Sequence, residues 1–80
     1  MNAPARSADA RVIDVRYLEP PEPFVRAMEA IDTLTPGDQL LLLIFREPFP
    51  LYKVLGEHGF GHRTDLQPDG TYEILIWKKS

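Results

Sequence analysis

Cysteine is absent from this chain. That absence excludes a thiolate nucleophile, a persulfide carrier, an iron–sulfur cluster, a cysteine zinc site and any disulfide staple. Positive charge is scarce too. Nine basic residues face twelve acidic ones, for a net charge of −3. Nonspecific nucleic-acid binding runs on cations that neutralise phosphates, so no nucleic-acid partner is expected. Long apolar runs are missing as well. The longest, Leu40 to Phe45, falls far short of the roughly 20 residues that span a bilayer. Met1 to Ala10 has no apolar core of the kind a secretory signal carries, so it reads as a flexible tail. No membrane association is expected, and the expected location is the cytoplasm. Catalytic patterns are also lacking: there is no Ser-His-Asp order, no G-x-S-x-G elbow and no phosphate-binding glycine loop. The reading is therefore not an enzyme.

What is present is one small domain, residues 11–80, behind the tail at residues 1–10. A chain of 80 residues buries only about 60–65% of its unfolded surface, so its margin of stability is thin. From Arg11 to Tyr17 apolar and polar residues alternate. Ile13, Val15 and Tyr17 share one face and Asp14 and Arg16 the other, the pattern of a half-buried strand. Pro21 to Leu34 has helical spacing, with Phe24, Ala27, Met28, Ile31 and Leu34 inward and Arg26, Glu29 and Asp32 outward. Proline suits its first turn, and Glu22 there complements the helix dipole. Thr35-Pro36-Gly37-Asp38 is a turn, and Gln39 to Phe45 is an interior strand. Pro50 to His58 is a second helix, closed by Gly59 as a left-handed cap. Gly61 to Gln67 is a polar edge strand, Pro68-Asp69-Gly70-Thr71 a hairpin turn, and Tyr72 to Lys78 the last strand. The order βαβαββ predicts an α+β two-layer sandwich: a four-stranded mixed sheet with two helices on one face.

Ile13-Asp14-Val15-Arg16, Leu18-Glu19-Pro20-Pro21-Glu22-Pro23 and this element order resemble the TusA/SirA-like superfamily of small sulfur carriers. The resemblance covers nearly all the chain after residue 10. In those carriers a Cys-Pro-x-Pro motif begins the first helix, and its cysteine carries the persulfide. Pro21-Glu22-Pro23 matches the Pro-x-Pro, but Pro20 stands where the cysteine would be, so carrier chemistry is not expected. Arg46-Glu47-Pro48-Phe49-Pro50-Leu51-Tyr52, followed by Leu55 and Gly59, resembles a cysteine-less branch that is a domain of unknown function. The resemblance implies sheet order 1-2-4-3, with the last strand antiparallel to its neighbours. It also suggests service in sulfur, metal or respiratory redox pathways.

In open α/β sheets, sites form beyond the C-terminal ends of parallel strands, facing helix N-termini. Both proline-rich corners belong at that edge. They would gather Arg16, Tyr17, Glu19 and Glu22 with Arg46 and Glu47. A mixed-charge rim suits recognition of another protein or an adjacent domain. Helix N-termini with arginines would instead suit a small anion, and the three glutamates a hard metal ion. A plainer alternative has Arg16 or Arg46 pinning the loops through Glu19 or Glu47. His58 and His62 are separated by glycines, so facing imidazoles are not expected, and no cofactor is called for. On the uncovered sheet face, Leu75 and Trp77 would join alternate residues of Leu40–Phe45. That apolar patch would suit a second copy of the chain or a docking partner, unless the tail or the stems of Arg16 and Glu73 cover it.

Overall fold

The chain runs β1 (Arg11–Asp14), α1 (Glu22–Ile31), β2 (Gln39–Ile44), α2 (Phe49–Glu57), β3 (Phe60–Leu66) and β4 (Tyr72–Lys78). It is seen in a computed structural model that describes residues 4–79. Met1 to Ala3 of the expected tail, and Ser80, lie outside the described residues. The four strands form one sheet in the order β1-β2-β4-β3, the order the resemblance implies. β1 and β2 are parallel, and β4 is antiparallel to both of its neighbours. Consequently β1, β2 and β3 point the same way, and their C-terminal ends share one edge.

Alternation along the strands sorts the two faces. Leu40 and Leu42 of β2 and Ile74 and Ile76 of β4 are fully buried. They form one core with Ala27, Ala30 and Ile31 of α1 and Leu51 and Leu55 of α2. Both helices therefore cover the same face. On the other face Leu41 lies opposite Leu75. These two are only 4% and 2% exposed although no helix covers them. Their shelter comes from the side: Val12 stands beside Leu41 and Arg63 beside Leu75. The Trp77 indole lies against the space over Gly61 in the next row of β3. The apolar patch expected on this face is thus largely closed by its own neighbours.

Three boundary differences from the sequence pattern matter for the site; α2 and β3 also each begin and end one residue earlier than that pattern places them. β1 stops at Asp14, before the alternation through Tyr17 ends. Val15 still enters the core, but the Leu18 N–H bonds its carbonyl at 3.3 Å and turns the chain. Tyr17, expected on the inner face, is instead 78% exposed. α1 is shorter than Pro21–Leu34, and Phe24, expected inward, lies 40% exposed. β2 ends at Ile44, which places Phe45 in the corner rather than in the strand.

The Pro20–Pro21 peptide is cis. Gly59 has φ +81° and closes α2 as its left-handed cap. At the other end of β2 the Gln39 side chain acts as a clip on the N-terminal segment. Its Oε1 accepts the Ser7 N–H at 2.6 Å, and its Nε2 donates to the Ala5 carbonyl at 2.9 Å.

Candidate functional site

The corners that follow β1 and β2 meet, as neighbouring parallel strands require. The rings of Tyr17 and Phe45 touch edge-on, with centroids 5.4 Å apart and planes at 86°. The Arg16 guanidinium sits over both rings, 5.6 Å from the Tyr17 centroid and 5.9 Å from that of Phe45. Aromatic pairs of this geometry and cation–π contacts each contribute a fraction of a kcal/mol to roughly 1.5 kcal/mol. They add stiffness to two corners already stiffened by proline.

Arg16 is also the latch of the edge. Its Nε and Nη2 grip the Asp14 carboxylate at 2.9 Å and 2.8 Å. Its Nη1 reaches Thr71 Oγ1 at 3.4 Å and lies 4.0 Å from Asp69 in the β3–β4 hairpin. The side-chain bonds from Arg16, helped by its backbone N–H, pull the Asp14 carboxyl down to about 2, and the guanidinium is correspondingly raised. The Thr71 N–H and hydroxyl lower Asp69 in the same way. Because the folded value for Asp14 lies below the unfolded one, its contribution to stability is fully present above about pH 4. That contribution fades as the pH falls toward 2. An NMR carboxyl titration is expected to find the Asp14 midpoint near 2, and Arg16→Gln, which keeps the backbone N–H bond, is expected to raise it toward the ordinary value of about 4. A wild-type midpoint near the ordinary aspartate value would contradict the latch.

The other rim residues divide. Glu22 pairs with Arg26 one turn along α1 at 3.4 Å. Glu47 accepts from the Tyr52 hydroxyl at 3.1 Å, and that hydroxyl also meets Thr64 Oγ1 at 2.6 Å. The Tyr52 ring stacks flat on His62, 4.2 Å away at 8°. Burial raises the Tyr52 hydroxyl and lowers the His62 imidazole. This column joins α2 to β3, so Glu47 is partly a brace. Glu19 and Arg46 are exposed and make no ion pair among the described residues. The expected pinning of Arg16 or Arg46 by Glu19 or Glu47 does not form. Asp14, two residues before Arg16 and held by its N–H, takes the guanidinium instead.

Trp77 is not brought to this edge. It pairs with Gln39, at the N-terminal end of β2, and lies at the far end of the sheet. His58 caps α2 through its N–H to Val54 and Leu55, away from the His62 stack. Among the described residues no group of three or more His, Asp or Glu side chains is placed to hold a metal ion.

What the sequence pattern missed is how aromatic the edge is. Tyr17, Leu18, Phe45, Phe49 and Leu66 are all exposed there, and Phe24 and Val25 are exposed in the first turns of α1. Among the described large apolar residues that are exposed, only Val12 lies elsewhere. The sequence pattern places Phe45 at the end of a buried run and Phe49 in a loop. The signal that could have found them is the pair Pro48 and Pro50 on either side of Phe49, the first of them four residues past the end of β2, which stops burial early. No described helix is long and apolar enough to cross a membrane.

Residues 12–78 match the model of a family described as an uncharacterized conserved protein (DUF2249). No curated protein matches the chain.

Proposed function

We propose that this chain, which belongs to the DUF2249 family, is a non-enzymatic recognition domain that binds another protein or an adjacent domain through its aromatic edge. The observation that carries this reading is the Tyr17–Phe45 pair under the Arg16 guanidinium. Water-exposed rings are costly to keep unless they are used, and Tyr and Arg held rigidly at a surface are the commonest interface anchors. Arg46 and Glu19 are free to set orientation at the margin. The site residues are thus Arg16, Tyr17, Glu19, Arg46 and Glu47, with Phe45 and Phe49 added to them. Glu22 serves the helix start.

A small anion or metal ion at the same edge is the rival. Asp14 already engages Arg16, Arg26 engages Glu22, and Tyr52 engages Glu47. That leaves Arg46 with little company for an anion and Glu19 with none for a cation. The sheet order and the Pro21-Glu22-Pro23 corner also support kinship with the TusA/SirA-like carriers. On this reading the lineage kept a surface that recognises partners and dropped the thiol, with Pro20 in its place. The setting is the cytoplasm.

The test is quantitative affinity capture from native extract with wild type, Tyr17→Ala, Arg46→Glu and, as a control away from the edge, Lys78→Ala. Specific partners are expected to fall at least tenfold in yield with Tyr17→Ala, a loss of about 1.4 kcal/mol or more. The control is expected to keep them. Equal recovery by all four proteins would end the proposal.

A further inference from the structure

The strand order leaves β1 at the edge of the sheet; at its start Arg11 reaches across to α1, its Nη2 donating to the Ala30 carbonyl at 2.9 Å, and among the described residues the backbone from Val12 to Asp14 is left open. The Val15 N–H points inward to the Leu43 carbonyl at 2.9 Å. By the alternation of a parallel ladder, Ile13 also bonds inward, and Val12 and Asp14 turn their N–H and C=O outward. Natural edges are usually blunted by proline, a bulge or a covering segment. Arg11–Asp14 carries no proline, and among the described residues no backbone group bonds its outer side. A groove of about 550 Å³ instead runs between this edge and α1, lined by Val12, Ile13 and Asp14 below and Arg26, Glu29 and Thr33 above.

We propose that a second copy of the chain fills this groove, pairing β1 antiparallel with β1 of its twin about a twofold axis. The argument for a twin over some other strand is self-complementarity. Arg26 and Glu29 stand three residues apart on the exposed stripe of α1, on the same side as the open edge. Reversing the direction of a second α1 alongside brings Arg26 of each copy to Glu29 of the other, so one patch supplies both halves of the match. Below them, a register centred on Ile13 lets Val12 of one copy and Asp14 of the other exchange their outward N–H and C=O groups. It also sets the two Ile13 side chains together on the helix-covered side, where Ile13 is now only partly buried. Arg26 then exchanges or shares its weak, exposed contact with Glu22, 3.4 Å long. The product is a continuous sheet with all the helices on one face. The Trp77 face stays outside this contact, and the inference stands or falls independently of the aromatic edge.

Sedimentation equilibrium of the full chain, from micromolar to millimolar concentration, tests it. The expected species is a reversible dimer of twice 9.1 kDa. Val12→Pro deletes only an outward N–H, leaves the internal ladder intact, and is expected to abolish association while the amide spectrum stays folded. Glu29→Arg is expected to weaken association about tenfold, and the double swap Arg26→Glu with Glu29→Arg to recover it to within about threefold. The charge pair decides the matter if the proline variant unfolds. A chain that stays at 9.1 kDa throughout overturns the proposal. So does a dimer that ignores both Glu29→Arg and the swap, which would place the contact on another face.

Discussion

Gly61→Val is expected to destabilise the domain by about 2–3 kcal/mol, the upper range for forcing atoms into a packed site. A Cβ at residue 61 would stand 2.5 Å from Trp77 Cζ2 and 2.6 Å from Nε1. Those are ring atoms of a bulky side chain, not the loose end of a flexible one, so the indole as a whole must leave. Gly61 has no positive φ. Glycine is needed there for room, not for backbone freedom, and the indole occupies the space a side chain would take. Displacing it strips cover from that row of the open face, beside Leu75. For a chain of this size, 2–3 kcal/mol corresponds to a fall in Tm of roughly 10–20 °C. Trp77 is the one tryptophan, so its emission reports the event directly and is expected to shift red. Gly61→Ala is expected to do the same to a smaller degree. A double-mutant cycle separates crowding from strand propensity: in a Trp77→Thr background the Gly61→Ala cost is expected to fall below about 0.5 kcal/mol. Native stability and unshifted emission in Gly61→Ala would show that the ring has somewhere else to go at no cost.

That relation between Gly61 and Trp77 marks where sequence reading runs out. Periodicity identified the elements and their order, since Leu40, Leu42, Ile74 and Ile76 alternate cleanly and the helix stripe of Ala27 and Ile31 repeats at helical spacing. It also put Trp77 on the uncovered face. It did not show that the indole would find a glycine across the strand pair, because register is a property of two strands and is set by the hairpin between them. The same limit explains the edge. Both proline corners were legible and their meeting followed from parallel pairing. The exact residue at which β1 gives way was not, because a hydrogen bond from Leu18 to Val15 outweighs the alternation that would have buried Tyr17. Once the chain turns there, Tyr17 and Phe45 pass from core candidates to exposed partners of each other. Asp14 to Arg16 was readable as two charges on one face, and the structure turns that spacing into the latch. Glu19 and Arg46, by contrast, read as rim residues for recognition or, on the plainer alternative, as pins for the loops; among the described residues they form no ion pair.

The two faces of β2 predict two different penalties for the same truncation. Leu42→Ala is expected to cost about 3–4 kcal/mol, within the usual range for emptying a rigid core site. Leu42 is fully buried, paired with Ile13 on one side and Ile74 on the other, in the layer packed by Leu51 and Leu55. Helices and sheet close that site from both directions and cannot collapse into it without moving the sandwich. Leu41→Ala removes the same atoms from a residue only 4% exposed. Its cover, however, is side chains that can lean inward or admit water. That cost is expected at about 1.5–2 kcal/mol, near the low end of the same range. Total stability for a domain of this length is about 4–12 kcal/mol, so Leu42→Ala removes about a quarter of it or more and Leu41→Ala about half as much. Urea midpoints at constant m-value measure both. The difference bears on the aromatic edge as well, because the corners that carry Tyr17 and Phe45 hang from the ends of β1 and β2. A core loss would abolish recognition by melting those supports, whereas Leu41→Ala should leave partner capture intact. Equal penalties for the two leucines would mean that the uncovered face is packed as firmly as the core, and that Trp77, Val12 and Arg63 form a rigid lid.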